Sequence, residues 1–511
     1  MKSWIISIIA LFMGVCSVQA KNVPVEKAMN AAEAYCRQSG TVSTRSAGIN
    51  GVGSTLQLAY TAKPEGVSLR SSSGSSDACF YIFNLGNGGG FIIVSADDRA
   101  CPVLGYSNEG AFDLSTAPPA FMEYLANYQN EITALLKDNP DIAPDPAWQR
   151  LETGSPLQGI STRAAQLLAT ASWGQSWPYN TQCPEYNGQQ TITGCVATAM
   201  AIVMKYHADH GYAARGTGSH SYSWQGQTLS ATFGTYDYQN MPLTSTEYTN
   251  NQTKIDAVAK LMFHCGVSVD ATYGAGGTSA NQTKIAPALK NYFGFDARCE
   301  LIKKSDYSTD AWKSFIKKEI DLNQPILYYC SGSGAHMFIC DGYNDDDKFH
   351  FNWGQSGGYN GWFELTATIQ PGYGSTYFFD NSQMVIGIKK AEISVAEVAQ
   401  LSLVSLKSGK GMAKNVETVV QNQTFTVTAS TVANMSTTNF DGVIAVALYD
   451  AAGNRKEILE RKAINLTVQG SLEQYAPSLS FSNCKVTTTI SPTDILRLIA
   501  SADGGNTWKL V

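Results

Sequence analysis

The chain has 511 residues, of which 44% are hydrophobic and 15% charged, with a formal net charge of −6. That length exceeds one ordinary hydrophobic core, so two to four domains are expected. The weak, dispersed charge offers neither the basic footprint of a nucleic-acid binder nor an acidic tail, so no nucleic-acid partner is expected and partners belong to specific sites.

The first twenty residues, MKSWIISIIALFMGVCSVQA, combine Lys2, an apolar stretch from Ile5 to Val15 and small or aliphatic residues at Val18 and Ala20. This is the pattern of a secretory signal peptide over residues 1–20. Val15 stands before Cys16 where a lipoprotein signal wants a small residue, which argues against lipidation. No later run reaches the roughly 18 apolar residues of a membrane span. The mature chain is therefore expected to be exported, to the cell envelope or the medium. The ten cysteines beyond residue 20 are scattered with no CxxC spacing, so disulfides are permitted but no disulfide scaffold is indicated. His207 and His210 are spaced as metal ligands but lack further partners nearby; they are expected as exposed helix-end residues, and neither metal nor cofactor is expected.

From Asn22 to about Leu151 the pattern is mixed. Val25 to Cys36 is helical. The segment after Asp77 predicts a strand, a turn at Gly86 to Gly90, a second apolar strand and a polar turn at Asp97, Asp98 and Arg99. The glycine run lacks the Lys-Ser/Thr of a phosphate loop, which leaves a hairpin. PPAFMEYLANYQNEITALLK, with prolines at its start and apolar residues at helical spacing, predicts a helix. Pro140 to about Gln166, rich in Pro, Gly, Ser and Thr, is read as an exposed, cleavable linker. All six histidines follow it, in the stretch from residue 164 to Lys390, which marks where chemistry is to be sought. Beyond Ala391 the alternation of QTFTVTAST and GVIAVALYDAAGNRKEI, broken by Asp-Gly and Gly-Asn turns, predicts an all-β sandwich of the immunoglobulin-like kind. Its tail, Ser501 to Trp508, matches an Asp-box; a single copy indicates a β-hairpin turn and no propeller.

One constellation carries chemistry. Cys195 heads TGCVATAMAIVMKYH, whose Ala, Met and Ile content predicts a buried helix; a thiol at a helix N-terminus has its anion stabilised by the macrodipole. Gly194 is expected to leave room for a substrate. In QPILYYCSGSGAHMFICDGYNDDDKFHFNWGQSGG a strand, a Gly/Ser loop, His336, a second strand to Cys340, a turn and a third strand to Asn352 would set His336 and Asn352-Trp353 on neighbouring strands. The 141 positions from Cys195 to His336 fall within the rough 130–150 interval of papain-like enzymes. A cysteine protease needs a thiolate, a histidine to take and return its proton, a group that orients the histidine and donors for the oxyanion. Taken alone, a cysteine at a helix start is more often a packing residue. Cys340 is read as core, His350 as facing solvent or a hydrogen-bond partner in the sheet, and Asp345 to Asp347 as a solvated turn, because a calcium loop wants alternating acidic positions.

WGQSWPYN at Trp173 to Asn180, the Cys195 motif, GVSVDATYG, ALKNYFGF and FHFNWG, in that order, resemble the streptopain family of secreted bacterial cysteine peptidases; GFIIVSADDRACPVLGYSNEGAFD resembles that family's propeptide. The resemblance covers roughly residues 21 to 390. It implies an α+β chain made as a zymogen: a papain-like peptidase domain, 164–390, behind an α+β inhibitory propeptide, 21–163, and ahead of the β-sandwich, 391–511. It also implies roles: Cys195 as nucleophile, His336 as general base and acid, Trp353 as the shielding ring with Asn352 its neighbour, and Gln175 as side-chain oxyanion donor. Ser279 and Ala335 fall at substrate-binding positions. Protein or peptide substrates and the chain's own propeptide are the implied partners. Ala335 and Gln355 depart from the usual Gly-Gly-His-Ala and Asn-Trp-Gly-Trp-Gly-Gly runs, which bears on subsite preference. The alternative is a secreted adhesin or binding protein on a peptidase scaffold, against which retention of the catalytic positions counts; a protease inhibitor acting through the free propeptide is a third reading, compatible with the peptidase.

Overall fold

The computed structural model describes residues 22–39, 56–64, 78–138, 141–155, 166–296, 299–307, 309–331, 334–368, 379–391, 401–403, 412–429, 432–434, 440–450, 454–466 and 479–511. The expected signal peptide lies outside the described residues. In the N-terminal region α1 (Val25–Ser39) precedes four strands, β1 (Gln57–Ala62), β2 (Phe80–Asn84), β3 (Phe91–Ser95) and β4 (Val103–Ser107), then α2 (Pro119–Asp138) and α3 (Pro146–Thr153). The middle region holds β5 (Gln166–Leu167), β6 (Glu185–Tyr186), β7 (Gln189–Gln190), α4 (Cys195–Asp209), β8 (Ser219–Trp224), β9 (Gln227–Thr232), α5 (Gln252–Ser268) and α6 (Ile285–Phe293). It continues with β10 (Glu300–Lys303), α7 (Thr309–Asp321), β11 (Ile326–Ser331), β12 (Ala335–Tyr343), β13 (Phe349–Asn352), β14 (Gly361–Phe363) and β15 (Gln383–Ile386).

The β2–β3 hairpin and α2 lie where the sequence predicts them. α3 does not: it occupies the stretch read as linker. Asp145 caps it by accepting from the Ala147 N–H at 2.8 Å, Pro146 opens it, and Gly154 at φ 68° closes it. Only Trp148 and Leu151 are buried, too few to show as a periodic stripe, yet Trp148 Nε1 donates to the Ala100 carbonyl at 3.0 Å and fixes the helix against α1 and β3.

One antiparallel sheet runs through both regions in the order β1-β2-β3-β4-β14-β13-β12-β11-β15-β10, with β5 beside β12. The junction is β4 on β14, Tyr106 opposite Trp362 and Gly105 opposite Phe363, extended by the Glu364 N–H donating to the Leu104 carbonyl at 2.9 Å. Period-two alternation sorts the side chains. Tyr328, Phe338, Phe351 and Met384 face α2 and α7, whereas Leu327, Met337, Ile339 and Val385 face α4 and α5. The first of these cores therefore contains residues from both regions. Phe121 and Tyr124 of α2 meet Trp353 at 5.5 and 5.6 Å, and the Tyr124 hydroxyl donates to the Glu364 carbonyl at 2.6 Å. Beneath the seam, Lys348 Nζ pairs with Glu364 Oε1 at 2.9 Å, almost wholly buried.

Two smaller expectations are corrected. Asp345 to Asp347 are half-buried, and two of them are bonded, Asp346 accepting from the Tyr35 hydroxyl at 2.8 Å and Asp347 pairing with Lys313 and Lys317 at 3.2 and 2.5 Å. His207 is buried with its ring against Phe295 at 5.5 Å, and burial pushes its pKa down to about 4; His210 alone is exposed. Cys340 is fully buried as expected.

In the C-terminal region every described element is a strand: β16 (Leu401–Leu403), β17 (Met412–Lys414), β18 (Thr424–Ala429), β19 (Val432–Asn434), β20 (Phe440–Tyr449), β21 (Arg455–Leu466), β22 (Leu479–Lys485), β23 (Ile495–Ser501) and β24 (Lys509–Leu510). Sheets β17-β18-β22 and β21-β20-β23-β24 share a core that includes Phe425, Val427, Phe481, Ile444, Val446 and Leu498. The Asp-box is the β23–β24 turn. Asp503 Oδ1 accepts from Ser501 Oγ at 2.6 Å and from the Asn506 N–H at 3.1 Å, and Trp508 Nε1 donates to the Gly505 carbonyl at 2.9 Å.

Candidate active site

Cys195 is the first residue of α4, whose next twelve residues, Val196 to His207, are all buried. Gly194 precedes it at φ 85°, ψ 154°, a conformation that L side chains rarely adopt. A β-carbon there would also lie 2.8 Å from Thr278 Cγ2 and from the Thr278 carbonyl oxygen. The space expected for substrate beside Gly194 is thus taken by Thr278.

The segment entering the helix is held from two sides. Thr193 N–H donates to the Gln175 carbonyl at 3.1 Å, while Ile192 N–H donates to the Gly274 carbonyl at 3.2 Å and the Thr278 hydroxyl donates to the Ile192 carbonyl at 2.6 Å. Gln175 and the loop from Thr272 to Ser279 therefore flank the approach to Cys195. Ser279 is exposed and closes that loop by a two-way backbone bridge to Thr272, at 2.7 and 3.1 Å. Ala335 is exposed at the mouth of the β11–β12 hairpin, opposite Ser331.

His336 follows Ala335 on β12, and the next residue, Met337, lies in the core against which Cys195 packs, where its backbone N–H favours the thiolate. The imidazole itself does not pair with the thiol in this arrangement. Its position on β12 is that of Phe338 and Cys340, which face α2, and there it meets Glu123. The Glu123 carboxylate accepts the Gly334 N–H at 3.1 Å, and a β-carbon on Gly334 would meet His336 Nε2 at 3.3 Å and Glu123 Oε2 at 3.6 Å. Glu123 and Gly334 are 211 positions apart, and no local pattern links them.

Trp353 is 1% exposed, with Nε1 donating to the Tyr359 carbonyl at 2.8 Å and its ring 4.7 Å from that of Phe338. Asn352 lies on the strand beside β12 but aims away from His336: its amide donates to Thr170 Oγ1 at 3.0 Å and the Ala171 carbonyl at 2.9 Å, and its Oδ1 accepts the Gly354 N–H at 3.1 Å. Thr170 bonds in turn to Asp341, which meets His350 Nδ1 at 2.5 Å. Of the two alternatives for His350, the bonded one holds. Glu123, Thr278 and the Asp341–Thr170 pair were not singled out by sequence. Thr278 adjoins the Ser279 position, but nothing in its residue type distinguishes it.

Burial pushes the Cys195 thiol above its ordinary range, while the N–H groups of Met337, Val196 and Cys195 itself pull the other way. The helix-start argument for a ready thiolate is outweighed here by desolvation. Burial likewise pushes His336 below its ordinary value, opposed by Glu123. Both displacements favour the neutral form, a thiol and an imidazole, over an ion pair. Among the described residues, no group of three or more His, Cys, Asp or Glu could hold a metal ion, and no helix is long and apolar enough to cross a membrane.

A family model described as the peptidase C10 family matches residues 173–363, and one described as Spi protease inhibitor matches residues 20–132. Streptopain of Streptococcus pyogenes is 32% identical over 341 residues, covering 61% of this chain and 81% of that protein. The thiol protease/hemagglutinin PrtT of Porphyromonas gingivalis is 31% identical over 336 residues, 62% of this chain; the match spans 37% of that relative's length. The fold is similar to that of a solved prointerpain A fragment from Prevotella intermedia, with a TM-score of 0.51 and 30% identity over 66% of this chain and 100% of that one.

Proposed function

The chain belongs to the C10 family of cysteine peptidases, as streptopain does, and on that footing we propose that it is an exported cysteine endopeptidase made as a zymogen. Residues 1–20 are its signal peptide, 21–163 an inhibitory propeptide, 164–390 a papain-like peptidase domain, and 391–511 an immunoglobulin-like sandwich, the last supported by two sheets over one core. The observation that carries the reading is the packing of Cys195, at the head of α4, against the core that holds Met337 and Ile339 of β12, the strand on which His336 lies.

Once the propeptide is removed, Glu123 leaves with α2 and His336 is free to turn to Cys195. The imidazole takes the thiol proton, and the sulfur attacks the carbonyl carbon of the scissile peptide bond. The resulting oxyanion is held by the Gln175 side chain and the Cys195 N–H. As the C–N bond breaks, His336 gives its proton to the leaving amine. Water, deprotonated by His336, then attacks the thioester, releases the new carboxyl end and restores the thiol. Trp353 walls the histidine, while Asn352 secures the strand end that carries Trp353 through Thr170 and Ala171. Ser279, next to the Thr278 that packs on Gly194, and Ala335, next to His336, are both exposed and would meet the residues before the cut. Latency has its own support: Phe121 and Tyr124 of α2 cover the Trp353 face while Glu123 lies beside His336.

The test is residues 21–511 beside the Cys195→Ala variant, under reducing conditions, followed by intact mass and casein cleavage. The wild type is expected to shorten by about the propeptide's mass, unaided or after added trypsin, and to cut casein, while the variant cuts nothing. A wild type that stays silent after trypsin would leave a binding protein on a peptidase scaffold.

A further inference from the structure

The oxyanion donor proposed above, the Cys195 N–H, belongs to the peptide that joins Gly194 to Cys195, so its direction depends on how Gly194 is held. Glycine has no intrinsic preference that would fix φ 85°, ψ 154°. Helix α4 fixes that peptide only from the C-terminal side. On the other side the contacts come from Thr278. Its hydroxyl donates to the Ile192 carbonyl at 2.6 Å and accepts the Gly274 N–H at 3.1 Å, tying the loop to the segment that enters the helix. Its methyl and carbonyl fill the volume in which a Gly194 side chain would sit, each 2.8 Å from the ideal β-carbon position. On the opposite flank Thr193 is held to the Gln175 carbonyl, through its N–H at 3.1 Å and its hydroxyl at 3.3 Å. The Thr193 hydroxyl also meets Thr198 Oγ1, one turn into α4, at 2.7 Å.

We infer that Thr278 is a positioning residue for the oxyanion donor: through Ile192 and Gly194 it sets the orientation of the Cys195 N–H without touching the reacting atoms. This rests on the peptidase reading. Losing the Thr278 hydroxyl lets the Gly194–Cys195 peptide tilt. The cost falls on steps in which negative charge develops on the carbonyl oxygen, and spares substrate binding and the thiol itself.

The experiment compares activated wild type with Thr278→Val and Thr278→Ser. It measures kcat and KM on a peptide amide, the affinity of a peptide aldehyde whose adduct places an oxygen at the oxyanion position, and the rate of alkylation by iodoacetamide, which forms no oxyanion. Complete loss of one oxyanion donor costs 10²–10³ in kcat, so its misorientation is expected to cost about tenfold. T278V should therefore show kcat down about tenfold, aldehyde affinity down by a similar factor, and KM and alkylation within about twofold of wild type. T278S should stay within about twofold of wild type throughout. If T278V does not fold, Thr278→Ala set against T278S makes the same comparison. Unchanged kcat in the variant lacking the hydroxyl would overturn the inference, as would an equal fall in alkylation, which indicates a loosened thiol site, or a failure of serine to rescue. A wild type that alkylates but cuts nothing would overturn the peptidase reading and this inference with it.

Discussion

His336 is placed between two opposing influences, and their sizes can be separated. Burial disfavours its cationic form; the Glu123 carboxylate, fixed by the Gly334 N–H at 3.1 Å, favours it. The net displacement is downward, so burial wins. Glu123→Gln preserves shape and a hydrogen-bond acceptor but removes the charge, leaving burial unopposed. In the uncut Cys195→Ala chain, this substitution is expected to move the His336 pKa further down, read from the pH dependence of its ring-proton NMR signals. A rise or no change would mean that Glu123 does not act on the imidazole. Much of the proposed site was legible at this scale because the chemistry proposed for it restricts residue type: few residues can be a nucleophile or its base, and Cys195 and His336 stand out by motif and spacing. Glu123 was not legible, since an acidic residue on a helix has an ordinary solvated role by default and only the packing of α2 brings it to β12.

At the scale of elements, α2 carries a second acid with a different consequence. Glu131 is 1% exposed; its Oε2 accepts from Thr366 Oγ1 at 2.7 Å and the Ala367 N–H at 2.6 Å, and its Oε1 has no partner. Burial pushes its pKa from 4.5 up to about 7 against the pull of these donors. A carboxyl whose folded pKa is raised contributes stability that is fully present below its unfolded value and is lost as pH rises through the folded one. The chain should therefore lose up to about 3 kcal/mol between pH 4.5 and a little above 7 from this group, which loosens α2 from the 366–368 segment. Thermal unfolding of the uncut Cys195→Ala chain across pH 5 to 8 should show a decline, and adding Glu131→Gln should flatten it; parallel curves would remove Glu131 as the cause. α2 was predictable because nine of its residues are buried along one face, whereas α3 buries two and hid in a Pro-rich stretch. Local periodicity reveals an element only when enough of its length is committed to a core.

At the scale of the whole molecule, the continuous sheet makes the N-terminal region a structural part of the site's support, because β4 covers the edge of β14 and α2 covers the Trp353 face. No sequence pattern announces this: the pairing of Gly105 with Phe363 joins short strands far apart in the chain, and each also satisfies an ordinary hairpin within its own region. The seam nevertheless leaves a mark in residue choice. A β-carbon on Gly105 would lie 2.4 Å from Phe363 Cδ1 and 2.9 Å from the Trp362 carbonyl, so β4 approaches β14 only without a side chain there. Gly105→Val should push the strands apart at a cost of about 1–3 kcal/mol, the usual range for overpacking. Because the same displacement lifts α2 from the Trp353 face and Glu123 from His336, two readouts should move together. The melting temperature of the uncut chain should fall, and Cys195 should react faster with iodoacetamide before any cleavage. Gly234→Ala, where a β-carbon meets nothing within 4 Å, is the control expected to change neither. A G105V chain that melts earlier but alkylates at the wild-type rate would separate stability from the proposed latency, leaving α2 alone to hold the histidine; faster alkylation at unchanged stability would place the proposed latency in the β4–β14 edge itself.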